Sequence, residues 1–320
     1  MTSDGHVTVF GAGVTGLTTA VVLAEAGAAV DVVAEEIPGR TSLAAGAMWG
    51  PYLVEPKESV DRWSQRSLEV FRDLAADPTT GVRVVTGVEA SRHVDEAPDW
   101  ARSLPGFTPA APGELPSGFR SGYRFAVPLV DMPTYLSYLQ SRLETLGVDV
   151  VPRRLDTLPE SGTIVNCTGM GAAKLASDAG LRAIRGQHVV VTNPGLTEFF
   201  SEDTGDSPDL LCIYPQGDVV VLGGTAIDGS ADTGPDPVAA ERILERCIAV
   251  DARLGDADVL DHRIGLRPTR SRVRVAAEQT ANGMVIHNYG HGGAGVTLSW
   301  GCAEEILGLV QRSGVLPERN

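Results

Sequence analysis

Apolar positions along the chain follow two rhythms that take turns. From His6 to Phe10 a short β-branched run leads straight into glycines, after which Leu17, Val21 and Ala24 fall at helical spacing until Gly27, a natural helix terminator. A second apolar run, Ala29–Ala34, ends in Glu35 and Glu36. Strand, helix, strand and acid within about 30 residues predict a βαβ unit. Helical spacing returns over Ser59–Leu74, through Trp63, Leu68 and Phe71, and over Pro133–Leu146, closed by Gly147 and followed by a strand at Val148–Val151. The Pro- and Gly-rich stretch from Glu96 to Gly122 reads as loop. Ile164–Asn166 is an apolar strand running into a glycine turn at Gly169, and it is expected to join the first sheet. The β-branched runs at Gly186–Val191 and Asp218–Leu222 predict an antiparallel sheet, with a helix over Pro237–Ala249, strands near 263 and 273, and a final apolar helix over Val296–Val310. A β-rich part inserted between returns to the first sheet predicts an α/β fold and a discontinuous two-domain chain.

The first turn carries the earliest chemical signal. In Gly11-x-Gly13-x-x-Gly16 the first glycine makes the turn, the second admits a pyrophosphate to the backbone, and the third lets helix pack on strand. The N-terminus of the following helix offers N–H groups and partial positive charge to phosphates. Glu35, at the end of the second strand and about 20 residues beyond the loop, is placed to accept hydrogen bonds from a ribose, with Glu36 beside it. This pattern predicts a dinucleotide site and does not by itself separate FAD from NAD.

Composition narrows the remaining classes. With 43% hydrophobic and 21% charged residues the 320-residue chain is of ordinary globular type, and its apolar runs are broken well short of the roughly 20 residues of a bilayer span. A formal charge of -15 disfavours nucleic acid and anionic membrane as partners. Cys167, Cys212, Cys247 and Cys302 lie far apart without a C-x-x-C, so neither a disulfide framework nor a zinc site is expected, and reduced thiols imply the cytosol. The chain enters its first strand too early for a signal peptide, and the terminal Pro-Glu-Arg-Asn is no peroxisomal address.

Three further segments discriminate among dinucleotide proteins: Thr41-Ser-Leu-Ala-Ala-Gly-Ala-Met-Trp-Gly-Pro51, Gly265-Leu-Arg-Pro-Thr-Arg270, and His287-Asn-Tyr-Gly-His-Gly-Gly-Ala-Gly-Val-Thr297. With them the chain resembles the D-amino-acid oxidase family of FAD enzymes, which includes D-aspartate oxidases. The Asn166-Cys-Thr-Gly169 and Arg185-Gly-Gln187 segments follow the family's order, so the resemblance spans nearly the whole length. It implies a Rossmann-like FAD-binding domain (1–55, 148–175 and 268–320) and a mixed or antiparallel-sheet substrate domain (56–147 and 176–267). It implies non-covalent FAD held by Gly11, Ala12, Gly13, Val14, Thr15 and Gly16, by Glu35 and Glu36, by Arg40, Thr41, Ser42, Ala45, Gly46 and Met48 along the pyrophosphate and ring edge, by Leu155, and by Gly292, Gly295, Val296 and Thr297 against the ring. In physical terms the glycines of 290–295 expose amides ahead of the last helix, whose N-terminus suits negative charge on a reduced flavin. His287 and His291 are four apart, but the glycine-rich run argues against a helical metal pair, and no metal is expected.

The resemblance makes Arg267, at the Gly-x-Arg-Pro position, the substrate anchor, since a planar guanidinium holds a carboxylate through two parallel bonds. Arg270, Arg272 and Arg274 read as the polar face of a strand. The Gly293 carbonyl is expected to receive the amine, and Tyr214 is the nearest substrate-side tyrosine in Cys212-Ile-Tyr-Pro215. Gly50 and Ala294 replace larger residues of relatives, which implies a roomier pocket, and side-chain preference is expected to depend also on the loop from Phe200 to Leu211. D-aspartate oxidases carry an extra arginine after the Gly-Gly-Thr turn, where this chain has Ala226, so neutral D-amino acids are favoured. The implied reaction is oxidative deamination, with hydride passing from Cα to flavin N5 and dioxygen as final acceptor, and no side-chain acid or base. Its partners are a D-amino acid and dioxygen, with a homodimer left open. The rivals are a D-aspartate oxidase, a glycine or sarcosine oxidase-like amine oxidase, and a non-catalytic nucleotide-binding redox module.

Overall fold

The strand His6–Phe10 passes directly into the helix Val14–Glu25 because Gly11 between them holds φ at +111°, a left-handed conformation that side chains other than hydrogen resist. This computed structural model describes residues 5–51, 54–204, 207 and 209–317, so the chain's last three residues and part of the 200–211 loop lie outside the described residues. The helix is buried from Gly16 to Leu23. The sheet covers one side and the helices Gly295–Arg312 and Met132–Thr145 cover the other, which is why its apolar residues are not confined to one stripe. Gly27, at φ +95°, ends it, donating its N–H to the Ala24 carbonyl at 2.9 Å.

The described residues form one sheet of 14 strands with two characters. At one end Asn282–His291, Ser161–Asn166, His6–Phe10, Ala29–Ala34 and Asp149–Pro152 run parallel, with Val7 opposite Val30 and Phe10 opposite Val33 as the βαβ reading requires. Beyond them Arg182–Thr192 pairs antiparallel with Val219–Thr225. The helix Pro237–Val250 covers the far face of these strands, packing Ala240, Ile243 and Cys247 on Val189, Val191 and Leu222. The α/β class and the Rossmann-like unit expected from the sequence are both present.

Two expectations are corrected. The strands expected near 263 and 273 are one strand, Val259–Thr280. It pairs with Arg182–Thr192 from Val259 to Thr269 and with Asn282–His291 from Thr269 to Thr280, and so joins the antiparallel and parallel parts. Pro268 and the arginines around it interrupt the apolar alternation, so the pattern looks like two segments. The stretch 96–122 is not only loop, since it holds the short helix Asp99–Arg102 and the two-residue strand Thr108–Pro109. The strands Val82–Ser91 and Ser121–Val130 on either side of it went unread, because polar residues interrupt the first and glycines precede the second.

Helix packing around Val14–Glu25 is close. Trp300 donates its indole N–H to the Tyr135 hydroxyl at 2.8 Å, tying the last helix to Met132–Thr145. A β-carbon on Gly301 would lie 2.3 Å from Cα of Trp63, so glycine is what lets the last helix approach Lys57–Leu74. No helix of the described residues is long and apolar enough to cross a membrane.

Glu89, on Val82–Ser91, is 5% exposed and accepts a hydrogen bond from the Tyr123 hydroxyl. Burial pushes its carboxyl up to about 7 and nearby Asp203 adds to this, against the opposing pull of Tyr123. The folded state then keeps a proton that the unfolded chain releases near 4.5, so this group's contribution to stability falls as pH rises from 4.5 to about 7. Glu89→Gln is therefore expected to melt higher than the parent near pH 8 and to lose that advantage near pH 4.5. A difference in Tm that stays constant across the range would show that Glu89 does not titrate there.

Candidate active site

A cavity of about 560 Å³ runs along the ends of the parallel strands and on to the antiparallel part. Its first wall is the glycine loop, with Gly11, Ala12, Gly13, Val14 and Thr15 all lining it. Gly13 is the N-cap of Val14–Glu25 and has no side chain to stand between the positive helix end and a ligand. Gly16 stands behind the wall: a β-carbon there would lie 1.9 Å from the Gly11 carbonyl oxygen, so its part is the close contact of helix with turn. Ser42 accepts the Val14 N–H at 2.9 Å, drawing Arg40, Thr41, Ser42 and Ala45 to the same cavity.

Glu35 and Glu36 line the cavity at the strand end and are exposed, Glu35 3.5 Å from Arg154 and Glu36 3.0 Å from Arg40. Leu155 lies nearby on the lining. The opposite wall is the turn Gly292–Gly293 and the start of the last helix, whose Gly295 and Val296 reach the cavity and whose N-cap, Ala294, offers no capping side chain. Two helix N-termini thus converge on one space, an arrangement suited to the anionic parts of a dinucleotide.

Arg267 lines the other end. Its Nη1 donates to the Thr225 carbonyl at 3.0 Å. The guanidinium lies against Gly186, where a β-carbon would come within 2.5 Å of Nη1, and its stem passes beside Gly293. His188, two residues along the same strand and so on the same face, is also on the lining. Its Nδ1 meets the Ala44 carbonyl at 2.8 Å, and burial first, then the positive charge of Arg267 and Arg263, pushes it down to about 4. The ring is therefore neutral at physiological pH, with Nδ1–H donating to that carbonyl and Nε2 left as the acceptor.

Gly46, Met48, Tyr214 and Thr297 are not on the lining. Gly46 packs on the Tyr214 ring, where a β-carbon would be 3.1 Å from Cδ2 and Cε2, and the Tyr214 hydroxyl lies 3.5 Å from Ser201 Oγ. Thr297 bonds both backbone groups of Gly50, at 3.1 and 3.2 Å, and Met48 bridges to Leu129. Ala294 does not enlarge the cavity, because it is buried among Val60, Trp63 and Leu298.

The sequence reading missed His188, Gly186, Thr233, Asn288 and His291 on the lining. The last two sit inside the 287–297 motif, but their polarity in a strand had no reading until their burial was visible. His291 Nε2 and Asn288 Oδ1 are buried without a hydrogen-bond partner in the protein. Burial pushes His291 down to about 4.

Residues 6–309 match the family described as FAD dependent oxidoreductase. A D-amino-acid oxidase from Rubrobacter xylanophilus is 48% identical, over 94% of this chain and 94% of that protein. The chain belongs to this family. A second relative, a D-amino-acid oxidase from Streptomyces coelicolor, is 44% identical over 96% of this chain and 97% of its own length, so the resemblance carried by the motifs holds. A crystal structure of glycine oxidase from Bacillus cereus shares the fold, with a TM-score of 0.80 at 20% identity, covering 98% of this chain and 99% of that one.

FAD is the cofactor of this family of oxidoreductases, and the cavity fits it: the glycine cradle admits backbone contact, two helix ends whose N-cap residues make no side-chain cap face in, and His291 and Asn288 hold polar atoms without protein partners. A methyl group at Gly186 cannot coexist with the present guanidinium position. Gly186→Ala is expected to displace Arg267 and weaken binding of a simple carboxylate about tenfold or more, while FAD affinity changes little. Titration of the flavin absorbance with the carboxylate checks this, and unchanged affinity would show that carboxylate binding does not depend on where Arg267 stands.

Proposed function

We propose that this oxidoreductase carries out the oxidative deamination of neutral D-amino acids to 2-oxo acids, ammonia and hydrogen peroxide. The observation that carries the reading is Arg267, oriented by the Thr225 carbonyl against side-chain-free Gly186, in the same cavity as the dinucleotide loop. Its guanidinium takes the α-carboxylate in two parallel hydrogen bonds. The Gly293 carbonyl receives the amine, which fixes the α-carbon between two points and leaves its hydrogen directed to one side. Bound FAD supplies the two-electron acceptor and returns the electrons to dioxygen.

The residues of the cradle that would hold it are Gly11 to Thr15, Glu35, Glu36, Arg40 to Ser42, Ala45, Leu155, Gly292, Gly295 and Val296, with Gly16, Gly46, Met48 and Thr297 supporting them from behind. The protein's contribution is orientation and exclusion of water, which fits the absence of any assigned acid or base role. His188, neutral at the anchor, adds no second positive charge there. With Ala226 in the place where D-aspartate oxidases carry an arginine, this supports neutral over acidic side chains. Tyr214 supports the substrate end through Gly46. The division between an FAD-binding part and a substrate part belongs to the same reading, with Val259–Thr280 crossing between them. Four buried free thiols support a reducing, cytosolic setting, and the charge of -15 supports small molecules as partners over nucleic acid or anionic membrane.

The purified protein is expected to be yellow and to bleach anaerobically on addition of D-alanine, with D-aspartate and sarcosine much slower. Arg267→Ala should weaken substrate capture by about 3 kcal/mol, roughly a hundredfold in kcat/KM, without loss of bound flavin. Peroxide release over a panel of D- and L-amino acids tests the reading. Preference for sarcosine would replace it by the amine-oxidase alternative, for D-aspartate by the acidic-substrate one, and bound flavin without any turnover by the non-catalytic one.

A further inference from the structure

The segment from Thr225 to Asp236 meets the cavity at Thr233 and one of its lining residues, Arg267, at Thr225. The Thr225 carbonyl receives Arg267, and Thr233, exposed to solvent, stands on the cavity lining. Between these points the only regular structure is the two-residue strand Ile227–Asp228, so the segment needs to be held from outside itself. Arg185 and Gln187 hold it. They alternate along their strand with Gly186 and His188 and so project from the face away from the cavity.

Arg185 is 2% exposed. Its Nε donates to the Asp232 carbonyl at 3.0 Å and its Nη2 to the Gly234 carbonyl at 2.5 Å, so the guanidinium grips the chain on both sides of Thr233. Gln187 completes the clamp. Its Nε2 donates to the Asp236 carbonyl, and its Oε1 accepts both the Asp236 N–H and Arg185 Nη2, each at 2.9 Å. The Gln187 backbone N–H donates to Thr225 Oγ1 at 3.0 Å. Removing a guanidinium from water is costly, and these acceptors are carbonyl and amide oxygens, so attraction to a carboxylate does not account for its place. The product of the cost is a fixed loop.

We propose that Arg185 and Gln187 are positioning residues for the substrate end. They fix 225–236 so that the Thr225 carbonyl orients the Arg267 guanidinium and Thr233 forms the rim that meets the amino-acid side chain. This rests on Arg267 being the carboxylate anchor. Neither residue touches substrate or cofactor, and their effect passes through the loop.

The test compares the flavin-loaded parent with Arg185→Met, Arg185→Lys and Gln187→Met. KM and kcat are measured for D-alanine, FAD affinity by titration of the apoprotein, and cleavage within 226–236 by a non-specific protease followed by mass spectrometry. Arg185→Met should raise KM and the cleavage rate each by about tenfold or more, with kcat and FAD affinity within about threefold of the parent. Arg185→Lys, able to reach one of the two carbonyls, should recover part of the KM. A fall in Tm with KM and cleavage unchanged would assign Arg185 to packing alone and overturn the proposal. Should Arg185→Met not fold, Gln187→Met removes both bonds to Asp236 and must raise KM and cleavage together, and if either stays at the parental value the proposal fails. A parent that turns over no D-amino acid while the variants are cleaved faster would refute the activity and support the clamp, so the two failures are distinguishable.

Discussion

A guanidinium lying over a glycine, with no side chain beneath it, is the contact on which the proposed substrate end depends. Arg267 occupies the space that a β-carbon on Gly186 would take, and from there its Nη1 reaches the Thr225 carbonyl. The contact comes where the strand Val259–Thr280 leaves its pairing with Arg182–Thr192 and takes up Asn282–His291, within two residues of Thr269. Below that point the sheet is antiparallel and above it the chain enters the parallel, nucleotide-binding part. Arg267 is therefore placed opposite Ile184 of the antiparallel part, while the carbonyl of its neighbour Pro268 accepts the Gly292 N–H at 2.9 Å, so sheet register contributes to its position relative to the dinucleotide loop.

The nucleotide end follows from a different constraint, the approach of backbone to backbone. Gly11 and Gly16 are in contact closer than any side chain allows, and Gly11 stands equally close to the Cys167 carbonyl, where a β-carbon would lie at 2.3 Å. Strand, turn and helix are thereby drawn together until the helix end faces the cavity. The last helix reaches the same place by another route, through the turn Gly292–Gly293 and the contact of Gly301 with Trp63. Positive helix ends placed on two walls lower the cost of holding an anionic group away from water.

Much of this was legible in the sequence, and what was not has physical reasons. The βαβ unit, the helix over 237–250 and the last helix could be read because each carries a single clear period and a glycine or proline at its end. The strand Val259–Thr280 read as two pieces because Arg267, Pro268, Arg270, Arg272 and Arg274 obscure its apolar face. Those arginines do divide as the pattern suggested. Arg270 and Arg274 turn to Asp178, at 2.9 and 3.5 Å, on the strand's polar side, whereas Arg267 turns to the cavity. Gly46, Met48 and Thr297 were named from motif position alone, and motif position does not tell a residue that lines a cavity from one that braces the lining. His188 and Thr233 gave no signal in sequence, since one is a lone polar residue in an apolar strand and the other a lone threonine in a loop.

What is kept uncharged decides how the anchor acts. Asp178, with the Tyr289 hydroxyl, the Gly180 N–H and Arg270 as donors, is held below the usual carboxylate range in spite of its burial, so it stays ionised and keeps Arg270 and Arg274 engaged. His188 goes the other way: buried beside Arg267, it loses its proton well below neutral pH and cannot compete with the guanidinium for a carboxylate. In the proposed reading the single arginine then takes the group that every amino acid has in common, its α-carboxylate. With no positive charge contributed at position 226, discrimination between side chains falls to the shape and hydration of the rim. Thr233 stands on the cavity lining, so under the same proposal the two residues gripping its loop from the far face of the sheet are part of the specificity of the site, although they lie outside it.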